Sequence, residues 1–175
     1  VVCNNALNRT VREFQLHSPG IILNKVRDLV IETFDATETA VKDGMDIALI
    51  SINYQTNELK YAGANNDLYI ISDGELIVYP ADKQPIGSYF LKDDFIEHKH
   101  QLKKGDCIYI FTDGYMDQFG GPKGKKFKYS AFKAMLLEIH QMPMQDQKTH
   151  MNKVIEDWRG NLEQLDDICV IGIRV

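Results

Sequence analysis

Apolar residues recur at helical spacing along the opening of the chain. Cys3, Leu7, Val11 and Phe14 stand three and four apart, an amphipathic stripe that predicts a helix. "HSPG" then resets the pattern, with Ser18 suited to a cap and Pro19 to the first helical position. Ile22, Val26, Leu29, Val30 and Thr33 carry a second stripe to about Phe34, and "DATETAVK" follows as a polar loop. From residue 44 the period changes to two. "MDIALISIN" and "ELKYAGA" flank "YQTN", a hairpin signal. "DLYIIS", "ELIVYP", "DFIEHKHQL" and "DCIYIF" follow, with turn residues at Asp73-Gly74 and Lys104-Gly105. Helical spacing returns at Phe132, Met135, Leu136 and Ile139, and again at Met144, Met151, Val154, Ile155 and Trp158. The last run, "ICVIGIRV", is apolar nearly throughout, which predicts a central strand covered on both faces.

Short consecutive strands with tight turns predict antiparallel sheet, and helices, strands, helices and strand in that order give an α+β layered domain. At 175 residues the length suits one domain, 1–175, with a sizeable core. Composition is that of a soluble globular protein, and no apolar run approaches the ~18–20 residues of a membrane helix. The N-terminus "VVCNNALNRT" has neither a basic region nor a continuous apolar core, so it does not read as a signal peptide. Cys3, Cys107 and Cys169 are odd in number and unpaired in spacing. They read as buried reduced thiols of a cytoplasmic protein, not a zinc site. A net charge of −5 argues against nucleic acid as the main partner.

Candidate chemistry lies in the acids. Asp-Gly pairs stand at 43–44, 73–74 and 113–114, and such a pair is most simply a hairpin turn. Asp73-Gly74 has strands on both sides and fits that reading. Asp113-Gly114 does not, because "YMDQFGGPKGKK" is no partner strand for the run that precedes it. An acid at a strand end, beside a glycine that lets other groups come close, is a candidate metal ligand. Asp166-Asp167 stands immediately before the last apolar strand, either as an exposed loop or as paired carboxylates around a cation. If the two strands are neighbours, these carboxylates converge at one sheet edge, and hard oxygen ligands suit Mg²⁺ or Mn²⁺.

"FTDGYMD" followed by "LDDICVIGI" resembles the metal-dependent protein phosphatases of the 2C type, in the bacterial SpoIIE/RsbU-like branch. "DGMDIALISIN", "YAGANNDLYII" and "GDCIYIFTDG" are similar to that branch as well, so the resemblance spans essentially the whole chain. It implies an antiparallel β-sandwich flanked by helices, an α/β/β/α arrangement, and hydrolysis of phosphoserine or phosphothreonine by water activated between two metal ions. It also implies that Asp113 and Asp166 ligate metal, with Gly114 the neighbour of the first and Asp167 and Asp43 in support. The family's early Gly-His-Gly motif is absent. The chain is therefore expected to be a C-terminal portion that begins after the first metal-binding segment, binds metal weakly and is inactive alone. Gly63-Ala64-Asn65-Asn66 stands where some relatives carry an aspartate for a third metal.

Lys123, Lys125, Lys126 and Lys128 share one glycine-rich loop, either simply solvated or a flap that attracts an acidic phosphoprotein. His98 and His100 alternate on one strand face and read as surface residues, and Arg12, Arg27 and Arg159 as surface charge. The resemblance implies a phosphorylated regulatory protein as substrate, such as an anti-sigma antagonist in sigma-factor control, and a sensory domain upstream. The competing readings are a non-catalytic, degenerate phosphatase-fold interaction module and a simple divalent-ion-binding β-domain. Strands missing from a truncated fold would leave an uncovered sheet edge and favour a homodimer.

Overall fold

A computed structural model of the protein describes residues 1–35, 44–88 and 93–175, so Asp43 lies outside the described residues. The elements are α1 (Val2–Arg12), α2 (Pro19–Asp35), β1 (Ile47–Asn53), β2 (Glu58–Ala64), β3 (Leu68–Ser72), β4 (Glu75–Tyr79), β5 (His98–Gln101), β6 (Cys107–Phe111), α3 (Gly114–Asp117), β7 (Phe119–Gly120), β8 (Lys125–Lys126), α4 (Tyr129–Ile139), α5 (Met144–Arg159) and β9 (Val170–Arg174). The class is α+β with antiparallel sheet. Contacts divide the chain into two compact units, Val1–Leu68 with Tyr79–Leu102, and Tyr69–Val78 with Lys103–Val175. Among the described residues no helix is long and apolar enough to cross a membrane.

The first unit is built on a three-stranded antiparallel sheet ordered β1-β2-β5. Its hairpin closes at "YQTN", where Asn53 Oδ1 accepts the amides of Gln55 at 2.9 Å and Thr56 at 3.2 Å, a side chain replacing a ladder partner. The α2 stripe packs Leu23, Val26 and Val30 into a core with Ala62, Ala64 and Ile86. The stripe expected in the first helix is rotated. Ala6 and Thr10 are its buried residues, while Val11 and Phe14 are 41% and 42% exposed. Thr10 can sit inside because its hydroxyl donates to Ala6 O at 2.8 Å.

Two surface expectations also change in this unit. His98 and His100 are half-buried: His98 lies 5.9 Å from the Tyr61 ring and 5.5 Å from Tyr79, and the Tyr79 hydroxyl bonds His100 Nδ1 at 2.9 Å. Arg27 is buried, donating to Gln84 Oε1 at 3.0 Å and Asp93 O at 2.6 Å with its guanidinium over the Phe95 ring. A long, segmented side chain can reach acceptors that no local spacing reveals.

The second unit holds the sheet ordered β4-β3-β6-β9. Asp73 and Gly74 join β3 to β4 with φ of 52° and 81°, the left-handed pair that a two-residue hairpin demands. All of β3 and four of the five residues of β6 are buried, as interior strands should be. Phe132, Leu136 and Ile139 of α4, with Met151 and Ile155 of α5, close the core over Tyr69, Tyr109 and Phe111.

The final strand departs from expectation. β9 has only β6 beside it among the described residues, and Ile171 is 48% exposed. One of its faces opens on a cavity of about 560 Å³ under α5, lined by Met144, Met151 and Val170 among others. An apolar run states a preference for cover, not the presence of a neighbour. The thiols differ as well: Cys107 is buried, Cys3 half-buried and Cys169 exposed, all unpaired.

Candidate metal centre

β6 ends at Phe111, opposite Val170 at the start of β9. The two strands bearing the acidic pairs are therefore neighbours. Beyond the last ladder pair, Thr112 takes over: its amide donates to Cys169 O at 3.0 Å, while its hydroxyl donates to Asp167 O at 2.7 Å and accepts from Cys169 N at 3.0 Å. One threonine hydroxyl thus bridges two main-chain groups of the opposite segment, extending the ladder to the position before Asp113.

Asp113 is half-buried and sits at the N-cap of the one-turn helix α3, where its carbonyl accepts the amides of Met116 and Asp117 at 3.0 Å each. Gly114 is required by space. A Cβ there would lie 2.5 Å from Asp167 O, closer than real contacts come, and 3.0 Å from Asp167 C, tighter than most. This pins the start of α3 against the Asp167 main chain. Asp166 and Asp167 are exposed; Asp166 Oδ1 accepts the Asp167 amide at 2.7 Å, and no protein donor to Asp166 Oδ2 is present among the described residues. The fold therefore brings the Asp113-Gly114 turn and the Asp166-Asp167 segment together across a glycine-sized gap.

This donor set fits a small hard cation. The groups are carboxylate and carbonyl oxygens with no sulfur or imidazole among them, and Mg²⁺ in particular takes one or two carboxylates and keeps its waters. Among the described residues no three His, Cys, Asp or Glu side chains come together as a ligand cluster. Among the described residues the two turns contribute Asp113, Asp166 and Asp167, and Asp43 lies outside the described residues.

The glycine-rich lysine loop is partly ordered by a short hairpin that its composition does not signal. β7 and β8 pair Phe119 with Lys126 and Gly120 with Lys125. Lys126 Nζ bonds Asp117 Oδ2 at 2.8 Å, so it is engaged, while Lys123 and Lys125 are exposed. Trp158 of α5 holds this hairpin. A Cβ on Gly120 would fall 1.9 Å from Trp158 O, and Gly121 N donates to that carbonyl at 2.7 Å. The indole Nε1 donates in turn to Gln118 O at 3.1 Å. Gly120-Gly121 and the chain's single tryptophan lie 37 or more positions apart, so no local pattern joins them.

Three tyrosines stiffen the two units and resist ionisation. Tyr115, under α5, donates to Met151 O at 2.8 Å, and burial raises its pKa above the usual phenol range. Tyr109 donates to Gln147 Oε1 at 2.8 Å and is raised by burial first and Cys107 second. Tyr61, in the other unit, donates to Asn66 O at 2.6 Å and is raised by burial, then by the negative charges of Asp67 and Asp82.

The model of the family described as Stage II sporulation protein E (SpoIIE) matches residues 3–175. The SiaA-PP2C domain of Pseudomonas aeruginosa is similar over 99% of this chain and 68% of that one, at 26% identity and a TM-score of 0.88. The PP2C phosphatase domain of SpoIIE from Bacillus subtilis, with a fragment of its regulatory domain, matches 99% of this chain and 48% of its own, at 16% identity and a TM-score of 0.71. RsbX in complex with magnesium matches 97% of this chain and 71% of its own, at 14% identity and a TM-score of 0.66. These likenesses give the PP2C phosphatase fold. No curated protein sequence matches the chain.

Proposed function

The chain belongs to the SpoIIE family, and from that premise we propose that it serves a metal-dependent protein phosphatase that hydrolyses phosphoserine or phosphothreonine on a regulatory protein. The observation that supports this most is the seating of Gly114 against Asp167, which leaves two aspartate-bearing turns side by side at the ends of β6 and β9.

Asp113 and Asp166 would hold Mg²⁺ or Mn²⁺ through carboxylate oxygens, with Asp167 in support. When bound, the metal supplies a Lewis acid that lowers the pKa of water and offsets charge on phosphoryl oxygens. Thr112 ties the main chain of the two turns together, which favours a convergence of their carboxylates on one ion. Lys123 and Lys125, exposed on the hairpin, draw a phosphorylated acidic segment toward the turns; Lys126, held by Asp117, sets the pitch of that hairpin. With two aspartates as the acids offered by the described residues, this chain would hold an ion weakly and turn over little. The regulatory partner fits an anti-sigma antagonist, with a sensory domain upstream controlling the output.

The test is Mn²⁺-dependent hydrolysis of p-nitrophenyl phosphate and of a phosphoserine peptide by the full-length protein, beside Asp113→Asn. Metal-dependent turnover that disappears in the variant is the expected result. No turnover in the intact protein would overturn the enzyme and leave the non-catalytic interaction module.

A further inference from the structure

Gln118 joins the two sides of this centre alongside Thr112, and neither the sequence pattern nor the proposed chemistry uses it. It follows Asp117 as the C-cap of α3, in extended backbone, and is 1% exposed. Its Nε2 donates across the fold to Glu163 O at 2.9 Å and to the adjacent Phe119 O at 3.0 Å. Both partners are carbonyls, so the amide can face them only with its nitrogen. Its own carbonyl accepts from Phe127 N at 3.0 Å and Trp158 Nε1 at 3.1 Å.

What Gln118 grips is the segment that carries Asp166. Residues 160–167 are exposed throughout, so packing gives them little definition. Several of their hydrogen bonds are local: Leu162 N to Arg159 O at 3.1 Å, Gln164 Nε2 to Asp166 O at 2.8 Å, and Asp167 N to Asp166 Oδ1 at 2.7 Å. Two bonds tie the segment to the Asp113 side. Thr112 Oγ1 holds Asp167 O from one end, and Gln118 Nε2 holds Glu163 O from the other. Asp166 lies between those anchors. A chain fixed at both ends of a five-residue span has far fewer conformations than one fixed at a single end.

We propose that Gln118 is the positioning residue of the Asp113–Asp166 pair: its buried amide holds the Glu163 carbonyl, and thereby sets where Asp166 stands relative to Asp113. The inference rests on reading that pair as metal ligands. Gln118 touches neither ion nor substrate; it acts through the segment it holds.

Its Oε1 finds no donor among the described residues, so a side chain of similar length and volume loses only the Nε2 bonds. Gln118→Met is therefore a clean probe, and Trp158→Phe is its counterpart, because it removes the bond to the Gln118 carbonyl and leaves the amide side chain in place. In the full-length protein, Mn²⁺ affinity is measured by titration of the free-ion electron paramagnetic resonance signal, at a temperature well below each variant's thermal midpoint. Gln118→Met is expected to raise the Mn²⁺ Kd about tenfold or more while the protein stays folded. Trp158→Phe is expected to lower the midpoint with a Kd within about twofold of the parent. A Gln118→Met Kd equal to the parent's, with Asp113→Asn abolishing binding, overturns the positioning role and leaves the metal reading intact. Binding that survives Asp113→Asn overturns both. If Gln118→Met does not fold, Gln118→Ala takes its place. Loss of fold in both also overturns the proposal, since Gln118 would then maintain the fold as a whole.

Discussion

Replacing Gly114 with alanine places a methyl group where the structure has none to spare. The added Cβ would lie 2.5 Å from Asp167 O, whereas ordinary contact begins near 3.4 Å, so a gap of about 0.9 Å must open. Opening it on the Asp167 side stretches the Thr112 Oγ1–Asp167 O bond from 2.7 Å by up to about 0.9 Å, at the limit beyond hydrogen-bond reach. The Cys169 N–Thr112 Oγ1 bond, at 3.0 Å, loosens with it. Each such bond contributes about 0.5–1.5 kcal/mol net. Holding position instead costs about 1–3 kcal/mol in overpacking. Both routes arrive near 1–3 kcal/mol, a fall in thermal midpoint of roughly 2–12 °C for a chain of this size. Urea unfolding of Gly114→Ala, Thr112→Val and the double variant checks the reasoning as well as the size. Alanine at 114 already loosens the bonds that valine at 112 deletes, so the double variant should cost clearly less than the two singles together. A Gly114→Ala variant within about 0.5 kcal/mol of the parent, or strict additivity in the double variant, would refute the close-approach account.

Two further outcomes are expected. Tyr61, Tyr109 and Tyr115 have pKa values raised above the unfolded phenol's, so the folded state keeps protons that the unfolded chain has lost. Their stabilisation is complete below about pH 10 and declines as pH rises further, by up to about 1.4 kcal/mol per pH unit for each tyrosine; urea midpoints from pH 9 to 11.5 that stay flat contradict this. The edge of β9, uncovered among the described residues, should let the 175-residue chain self-associate as concentration rises, and Ile171→Lys, a charge on that half-exposed position, should shift light scattering toward monomer. A parent chain that stays monomeric at high concentration removes the edge from consideration.

How much of this was legible in the sequence follows from which interactions are local. The α2 stripe, the "YQTN" hairpin and the Asp73-Gly74 turn depend on residues within a few positions of one another, and periodicity and turn chemistry read them directly. Asp113 stood out because no partner strand follows it, and Asp166 because two acids precede an apolar run. The role of Thr112, the grip of Gln118 on Glu163 and the seat of Gly120-Gly121 on Trp158 were invisible, because each joins positions 37 or more apart. β9 was misplaced for the same reason. Its side chains ask for cover, but the order of strands in a sheet is a property of the whole chain. Arg27 and the two strand histidines, assigned to the surface by type, were drawn inward by acceptors and rings on distant elements.

The pairing of β6 with β9 also bears on the order in which the protein folds. Phe111 meets Val170 only after the whole segment 112–169 has been gathered between them, and closing such a loop carries an entropic cost before any contact repays it. The β1–β2 and β3–β4 hairpins face no such delay. The turns bearing Asp113 and Asp166 should therefore meet late, after α4 and α5 have condensed on β6. In a nascent chain leaving the ribosome, the two acids would remain strangers until β9 emerges.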